Sequence, residues 1–508
     1  MLATRSLAIT LLLAVAGATQ AAAQPASNGS ASVAALDAYV AKAVRDWKVP
    51  GLAIAVVQGD RVVLAKGYGV RELGKPDAVD AGTRFAIGST TKAMTAAALG
   101  MLVDEGKVKW DEKVTTYLPG FQLADPYVTR ELTVRDLLTH RAGLGNADLL
   151  WAGADYPTAE ILRRVGTLRP AYSLRSGFIY QNIMYAAAGE VVRAASGMPW
   201  DAFVRTRIFV PLGMTNTEAT LAGLAGKPNV AAPHDRIRDT LRVVANRPVD
   251  PVAAAGSVWS SVDDMAKWMR FVLDSGRVGG KRLLSEATFR ELLSPQTIAP
   301  TSMYPTMTVV RPHFFTYGLG WFLHDYAGEA VAMHTGSIDG MSAIIGLLPD
   351  RRVGVYVLAN RDHAELRHAL MYRVFDMYRG AAGARDWSAE LLTLYGGLEA
   401  QADAARRQQE QRRVADTRPS LPLERYAGTY REPTFGDVVV AVQGGALQLT
   451  YGRAYAGRLE HWHYDTFRAL WADPRSAPSL VTFAPDGTGG VASVRAFGNT
   501  FARVPAGR

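Results

Sequence analysis

Gly88-Ser89-Thr90-Thr91-Lys92 places a hydroxyl and an amine three residues apart, at the head of a long Ala- and Met-rich run. On a helix, residues at that spacing share a face. A serine in the first turn keeps a backbone N–H with no intrahelical partner, and the helix dipole favours negative charge there. A lysine held in an apolar pocket loses the solvation that stabilises its charge. Its pKa falls, and it can take a proton near neutral pH. The pair suits acyl transfer, with Ser89 as nucleophile and Lys92 as base. The spacing alone is common, and a capping serine with a solvated lysine would read the same way.

Two later clusters add to it. Tyr180-Gln181-Asn182 precedes a helical pattern, and His334-Thr335-Gly336-Ser337 closes an apolar strand-like run. Ile338-Asp339-Gly340-Met341 and another apolar run follow.

These residues need elements to position them. The pattern predicts a helix over 33–47, then β-rich runs at 52–58 and 61–67 joined by Gly59-Asp60, a hairpin signal. The stretch 85–106 reads as a helix apolar on most sides, which implies burial. The middle, about 108–300, is helix and loop punctuated by Pro119-Gly120, Pro170, Pro211 and Pro228. Strand character returns at 317–322, 330–334, 342–348 and 353–358, and a helix follows at 364–378. The expected class is α+β: one antiparallel sheet flanked by helices, plus an all-helical lobe. Residues 387–413 form a charged helix, and the prolines at 419 and 422 end it. Short alternating strands then appear at 426–430, 438–442, 446–451, 466–470, 480–483 and 491–497, which reads as a small all-β, barrel-like domain.

The chain has 508 residues, enough for at least two domains. It has no cysteine, which excludes disulfides, thiol catalysis and thiolate-bound zinc. The net charge of +9 is scattered. Its densest cluster, Arg406, Arg407, Arg412 and Arg413, reads as a solvated helix face, so nucleic acid is not an expected partner. His461-Trp462-His463 puts two imidazoles on one strand face without a carboxylate set, a weak zinc signal. No metal and no cofactor is expected. Arg5, the apolar run 7–15 and Ala21-Ala22-Ala23 read as a cleaved secretory signal, so a periplasmic location without a stable membrane anchor is expected. The expected division is 1–23 signal peptide, 32–380 hydrolase domain, 381–422 helical linker and 423–508 β domain.

In this order, the S-x-x-K, Y-x-N and H-T-G elements resemble the penicillin-recognising serine hydrolases. The nearest subgroup is the class C β-lactamase-like family, with its D-aminopeptidases, DD-peptidases and esterases. Further stretches share the resemblance: the run 133–144 containing His140 and Arg141, Ala255-Gly256-Ser257, 260–265, and Tyr317-Gly318-Leu319-Gly320-Trp321. It covers residues 32–380 and implies roles. Ser89 matches the nucleophile and Lys92 its base. Tyr180 matches the group that relays a proton to the leaving group and helps activate water. Asn182 matches the side chain that holds substrate and orients Lys92. The backbone N–H groups of Ser89 and Ser337, beside Gly336, match the oxyanion hole.

The departure is His334, where β-lactamases and many DD-peptidases carry a lysine that binds the substrate carboxylate. Histidine is at most partly charged at neutral pH, yet it can donate a hydrogen bond to Tyr180 or to substrate. This moves weight toward esters and small amides. D-amino-acid peptides, β-lactams and a non-catalytic envelope binder or sensor remain as alternatives, and a homo-oligomer is left open. His140 and Arg141 read as braces of the helical lobe. The stretches 146–156 and 300–315 either shape the pocket or cover the core. The β domain, opening with Tyr426-Ala427-Gly428-Thr429-Tyr430, resembles a lipocalin-like appendage seen on some family members.

Overall fold

The computed structural model describes residues 28–505 apart from 155, 382 and 384, with backbone alone for 28–31. The expected signal segment, 1–23, lies outside the described residues. Helix α1 (Asn28–Asp46) leads into the hairpin β1 (Gly51–Gln58) and β2 (Arg61–Gly69). The chain then builds a helical lobe whose main members are α2 (Thr91–Asp104) and α3 (Asn182–Ser196), and α4 (Val262–Leu273) packs against β1 and β2. It returns to the sheet through β3 (Thr297–Ile298), β4 (Phe315–Tyr317), β5 (Phe322–Tyr326), β6 (Glu329–Ile338), β7 (Met341–Leu348) and β8 (Val353–Ala359). Helices α5 (Leu366–Tyr378) and α6 (Trp387–Gln411) follow.

The sheet order is β2-β1-β8-β7-β6-β5-β4-β3, antiparallel throughout. The first and last segments of the domain therefore meet, with Leu52 opposite Ala359 and Val56 opposite Val355. Strand β1 is apolar without alternation because both its faces are covered. Leu52, Ile54 and Val56 pack with α1 and α5, whereas Ala53, Ala55 and Val57 pack with the lobe. Every residue of α2 from Thr91 to Leu102 is buried. A helix without a polar face must lie in the core, and this burial desolvates Lys92.

Helix α6 begins docked and ends exposed. Trp387 donates to Asp376 Oδ2 at 2.7 Å, and Ser388 Oγ accepts from Trp47 Nε1 at 3.0 Å. The later turns and residues 412–416 face solvent.

The C-terminal domain is a closed antiparallel barrel of eight strands, β9 (Gly428–Glu432), β10 (Gly436–Gln443), β11 (Ala446–Tyr451), β12 (Tyr455–His463), β13 (Thr466–Trp471), β14 (Ser479–Pro485), β15 (Val491–Ala496) and β16 (Asn499–Arg503). The sequence pattern misses two of them. In β12 a bulge between His461 and His463 breaks the alternation. The turn before β16 is Phe497-Gly498, both at positive φ. A phenylalanine there gives no turn signal, so the hairpin reads as one strand. Neither histidine of β12 is poised for zinc: His461 Nε2 meets Tyr464 O at 2.9 Å, and His463 Nδ1 accepts from the Val414 N–H at 3.3 Å.

Candidate active site

Ser89 sits in a single tight turn, Gly88–Thr90, that runs into α2. Two glycines bring β6 into backbone contact with this turn. Gly88 has φ +53°, and a Cβ there would stand 2.7 Å from the Ser337 nitrogen. A Cβ on Gly336 would stand 1.9 Å from Ile87 O and 3.0 Å from the Ser89 nitrogen. The amide nitrogens of Ser89 and Ser337 thus both border this seam, and Ser89 itself remains partly exposed.

Lys92 is fully buried. Its Nζ lies 3.0 Å from Ser89 Oγ, 2.8 Å from Asn182 Oδ1 and 2.9 Å from Ala255 O. Burial pushes its pKa well below the usual lysine value, and the charge of Asp148 opposes that push. Asn182 Oδ1 and Ala255 O can only accept, so they use two N–H bonds. The remaining position of a neutral amine is its lone pair, directed at the Ser89 hydroxyl.

The orientation of Asn182 is set from outside. Its Nδ2 donates to both carboxylate oxygens of Asp148 at 3.1 Å, which leaves Oδ1 for Lys92. Asp148 also accepts from Trp151 Nε1 at 2.8 Å and Asn146 Nδ2 at 3.2 Å. Sequence reasoning missed Asp148. In Asn146-Ala147-Asp148, ahead of a short helical turn, it looks like an ordinary cap.

The Tyr180 hydroxyl is buried without a well-formed hydrogen bond. Burial pushes its pKa well above that of a free phenol, and Ser89, close by, tempers the rise. It is therefore a protonated phenol, which leaves Lys92 as the base. Its ring lies 4.3 Å from that of His140, centre to centre, and 4.7 Å from Lys92 Nζ. His140 braces the site itself as well as the lobe. Its Nδ1 accepts from the Gln181 N–H at 3.0 Å, and burial, with Lys92 and His334 adding to it, keeps the ring neutral. Arg141 braces the lobe as expected, bonding Asp136 Oδ1 at 2.7 Å.

His334 departs from expectation. It makes no hydrogen bond to Tyr180 and is buried, so it does not reach into the cleft as a donor. Nδ1 lies 2.6 Å from Thr335 O and so carries the proton, and Nε2 accepts from the Tyr317 hydroxyl at 2.9 Å. Burial and the proximity of Lys92 push its pKa down to about 3. The physical reason is its aromatic surroundings: the rings of Tyr317, Phe322 and Tyr180 pack around it. This strand position brings no positive charge.

The barrel meets the hydrolase domain beside the site. A cleft of about 480 Å³ is lined by Asp148, Trp151, Ser337 and Asp339 from the hydrolase domain and by Tyr455 and Arg475 from the barrel. Asp339 lies 2.9 Å from Arg247 and 3.3 Å from Arg475, and Asp473 lies 3.2 Å from Arg247 and 2.6 Å from Arg475. Two cations and two anions thus tie the turn after Ser337 to the barrel loop. The two aromatic loops divide: 146–156 lines the cleft through Asp148 and Trp151, and 300–315 covers the core. In the latter, Tyr304 packs on Phe315 and Phe322 and bonds Thr335 Oγ1 at 2.8 Å.

A family model described as "Beta-lactamase" matches residues 36–379, and one described as "Domain of unknown function (DUF3471)" matches 412–503. The chain is 29% identical over 470 residues to a protein named unguisins hydrolase from Aspergillus violaceofuscus, covering 85% of this chain and 82% of that one. It is 30% identical over 321 residues to penicillin-binding protein 4 of Amycolatopsis lactamdurans, covering 61% and 81%. Among solved structures, the octameric penicillin-binding protein homologue from Pyrococcus abyssi matches with a TM-score of 0.61 at 22% identity, covering 91% of this chain and 97% of that one. SurE matches with a TM-score of 0.56 at 21% identity, covering 94% and 100%. At those identities the two structures speak to the fold alone.

Proposed function

The chain belongs to the beta-lactamase family of serine hydrolases, and from that premise we propose that it is an exported hydrolase that cleaves ester or small amide bonds through an acyl-enzyme on Ser89. Ser89 Oγ attacks the carbonyl carbon as its proton passes to Lys92 Nζ. The carbonyl oxygen takes up negative charge between the N–H groups of Ser89 and Ser337. One such donor is worth about 10²–10³ in kcat. The bond to the leaving oxygen or nitrogen then breaks. That atom takes a proton from the Tyr180 hydroxyl, which Lys92 replenishes. Water enters and gives a proton back through the same pair. Its oxygen replaces Ser89 Oγ on the acyl carbon, and the acid departs.

The observation that carries this reading is the Lys92 amine. Two obligate acceptors fix it at 2.8 and 2.9 Å, and the Ser89 hydroxyl lies 3.0 Å away. The neutral charge of His334 supports ranking esters ahead of β-lactams, which carry a carboxylate beside the scissile bond. A second reading, a D-amino-acid peptide, is supported by the charged groups Arg475 and Asp339 in the cleft beside Ser337. A structure of the fold relative SurE with D-Leu fits that reading. The leader at 1–23 carries the proposal of a periplasmic location. The octameric state named for the Pyrococcus abyssi homologue makes a homo-oligomer the assembly to look for by light scattering.

A substrate screen of the purified protein tests this, using p-nitrophenyl esters, D-alanyl amides and a chromogenic cephalosporin. Esters are expected to turn over fastest. Turnover of D-alanyl amides alone would replace the ester reading with the peptidase one. Labelling of Ser89 without turnover of any of the three would favour a binder or sensor.

A further inference from the structure

The oxyanion-hole peptide has a second side. Its nitrogen, at Ser337, faces Gly88 and the Ser89 turn, and its carbonyl, at Gly336, points away from the cleft. There it meets Arg367, in the first turn of α5 and 3% exposed. Arg367 Nη1 lies 2.6 Å from Gly336 O, 2.9 Å from Ser337 Oγ and 3.1 Å from Ala343 O. The carbonyl oxygen of Gly336 is the shortest of the three contacts.

Arg367 is itself held. Glu365 accepts from its Nη2 at 2.8 Å through Oε1 and from its Nε at 3.2 Å through Oε2, and His368 Nδ1 lies 2.8 Å from that same Oε2. The cation is therefore buried, oriented and balanced. Nothing in the acyl-transfer steps above uses it.

We propose that Arg367 is a positioning residue that strengthens the oxyanion hole through the Gly336–Ser337 peptide. The reasoning is electronic as well as geometric. A peptide unit is conjugated, so drawing electron density onto its oxygen makes its N–H more positive. Hydrogen bonds in a chain polarise one another in the same sense, and a charged donor does so more strongly than a neutral one. The guanidinium pulls on the carbonyl, and the Ser337 N–H that faces the developing oxyanion becomes the better donor. The same contacts fix the plane of the peptide, so the donor is aimed before substrate arrives.

The proposal rests on the acyl-enzyme reading of Ser89, and the test separates the two. Phenylboronic acid is the probe, because its boron adds to a serine hydroxyl and presents a tetrahedral oxygen to the hole. Butyrate, which adds no tetrahedral centre, serves as the ground-state control. A donor weakened rather than removed should cost less than the 10²–10³ of outright removal, so about tenfold is expected. In Arg367→Gln, kcat/KM for p-nitrophenyl butyrate should fall and the boronate inhibition constant should rise by that factor, while butyrate affinity changes less than about twofold. Arg367→Lys, which keeps a charged donor, should recover most of the loss.

Unchanged boronate affinity in Arg367→Gln would overturn the proposal. So would an equal loss for butyrate and boronate, the mark of a merely structural role. If that variant does not fold, Glu365→Gln keeps the guanidinium on the carbonyl and removes its counter-charge. Boronate affinity should then equal or exceed that of the wild type, and a tenfold fall would overturn the proposal. A wild-type protein that binds no boronate and turns over no ester would bring down the acyl-transfer reading first, and this proposal with it.

Discussion

Replacing Asp148 with asparagine keeps the shape of the side chain and removes its charge. In the native site this carboxylate holds Asn182 Nδ2 through both oxygens at 3.1 Å, and its charge raises the pKa of Lys92 against the effect of burial. The amide that replaces it has one acceptor oxygen, so one of the two contacts is lost and the other becomes neutral. A hydrogen bond to a charged group contributes about 1.5–3 kcal/mol and a neutral one about 0.5–1.5 kcal/mol. A net loss of about 1–2 kcal/mol, expressed in the transition state, lowers kcat/KM by about 5- to 30-fold. The pH profile carries a second signature. Lys92 is active as the free amine, so the rate climbs as pH rises through its pKa. Removing a carboxylate that raises this pKa must move the acidic limb to lower pH. The assay is kcat/KM for a p-nitrophenyl ester across the acidic and neutral range. A limb that stays in place or moves to higher pH would refute the role of Asp148, whatever the size of the rate loss.

Three further outcomes are expected. His334→Lys should raise acylation by a chromogenic cephalosporin relative to ester turnover, because it puts a cation on a strand position that is now neutral; an unchanged ratio in paired stopped-flow assays would contradict this. Arg475→Ala breaks the pairs with Asp339 and Asp473. A docking loss of about 1–2 kcal/mol should speed proteolysis within the segment 412–422 by about 5- to 30-fold, while p-nitrophenyl acetate turnover changes little. Asp136 is buried between Arg141 and Arg175, so Asp136→Ala should destabilise the protein by about 3 kcal/mol in urea titration. Burial pushes the Asp136 pKa up, but Arg175, Arg141 and Thr133 together bring it below the usual carboxylate value. Its contribution is therefore present above the unfolded carboxylate pKa and fades as pH falls through the folded one, so the gap between wild type and variant should close in acid.

The parts of the site that lie within short runs of chain were readable from sequence. Ser89 and Lys92 share one helical turn, Tyr180 and Asn182 flank one residue, and Gly336 and Ser337 are adjacent, so each cluster carries its own spacing. The sheet was legible because β1, β7 and β8 are apolar on both faces. What escaped is what the fold brings together from a distance. Asp148 acts on Lys92 through Asn182 and through its charge, and Arg367 stands behind a peptide in another strand. The neutrality of His334 depends on Tyr317 and Phe322 of one hairpin and on Tyr180 from a distant segment. The cleft beside Ser337 depends on how Arg475 and Tyr455 of the barrel meet the hydrolase domain, and no local pattern encodes that contact. In the barrel itself, the missed strand β16 was hidden by a phenylalanine at positive φ, a residue that sequence rules do not expect in a tight hairpin.

The central claim is that Ser89 is a nucleophile activated by Lys92. Mass spectrometry of the protein treated with a fluorophosphonate tests it most directly. The account predicts a single adduct on the peptide carrying Ser89, none in Ser89→Ala, and a much slower adduct in Lys92→Ala. Equal labelling of wild type and Ser89→Ala, or an adduct on another residue, would contradict it.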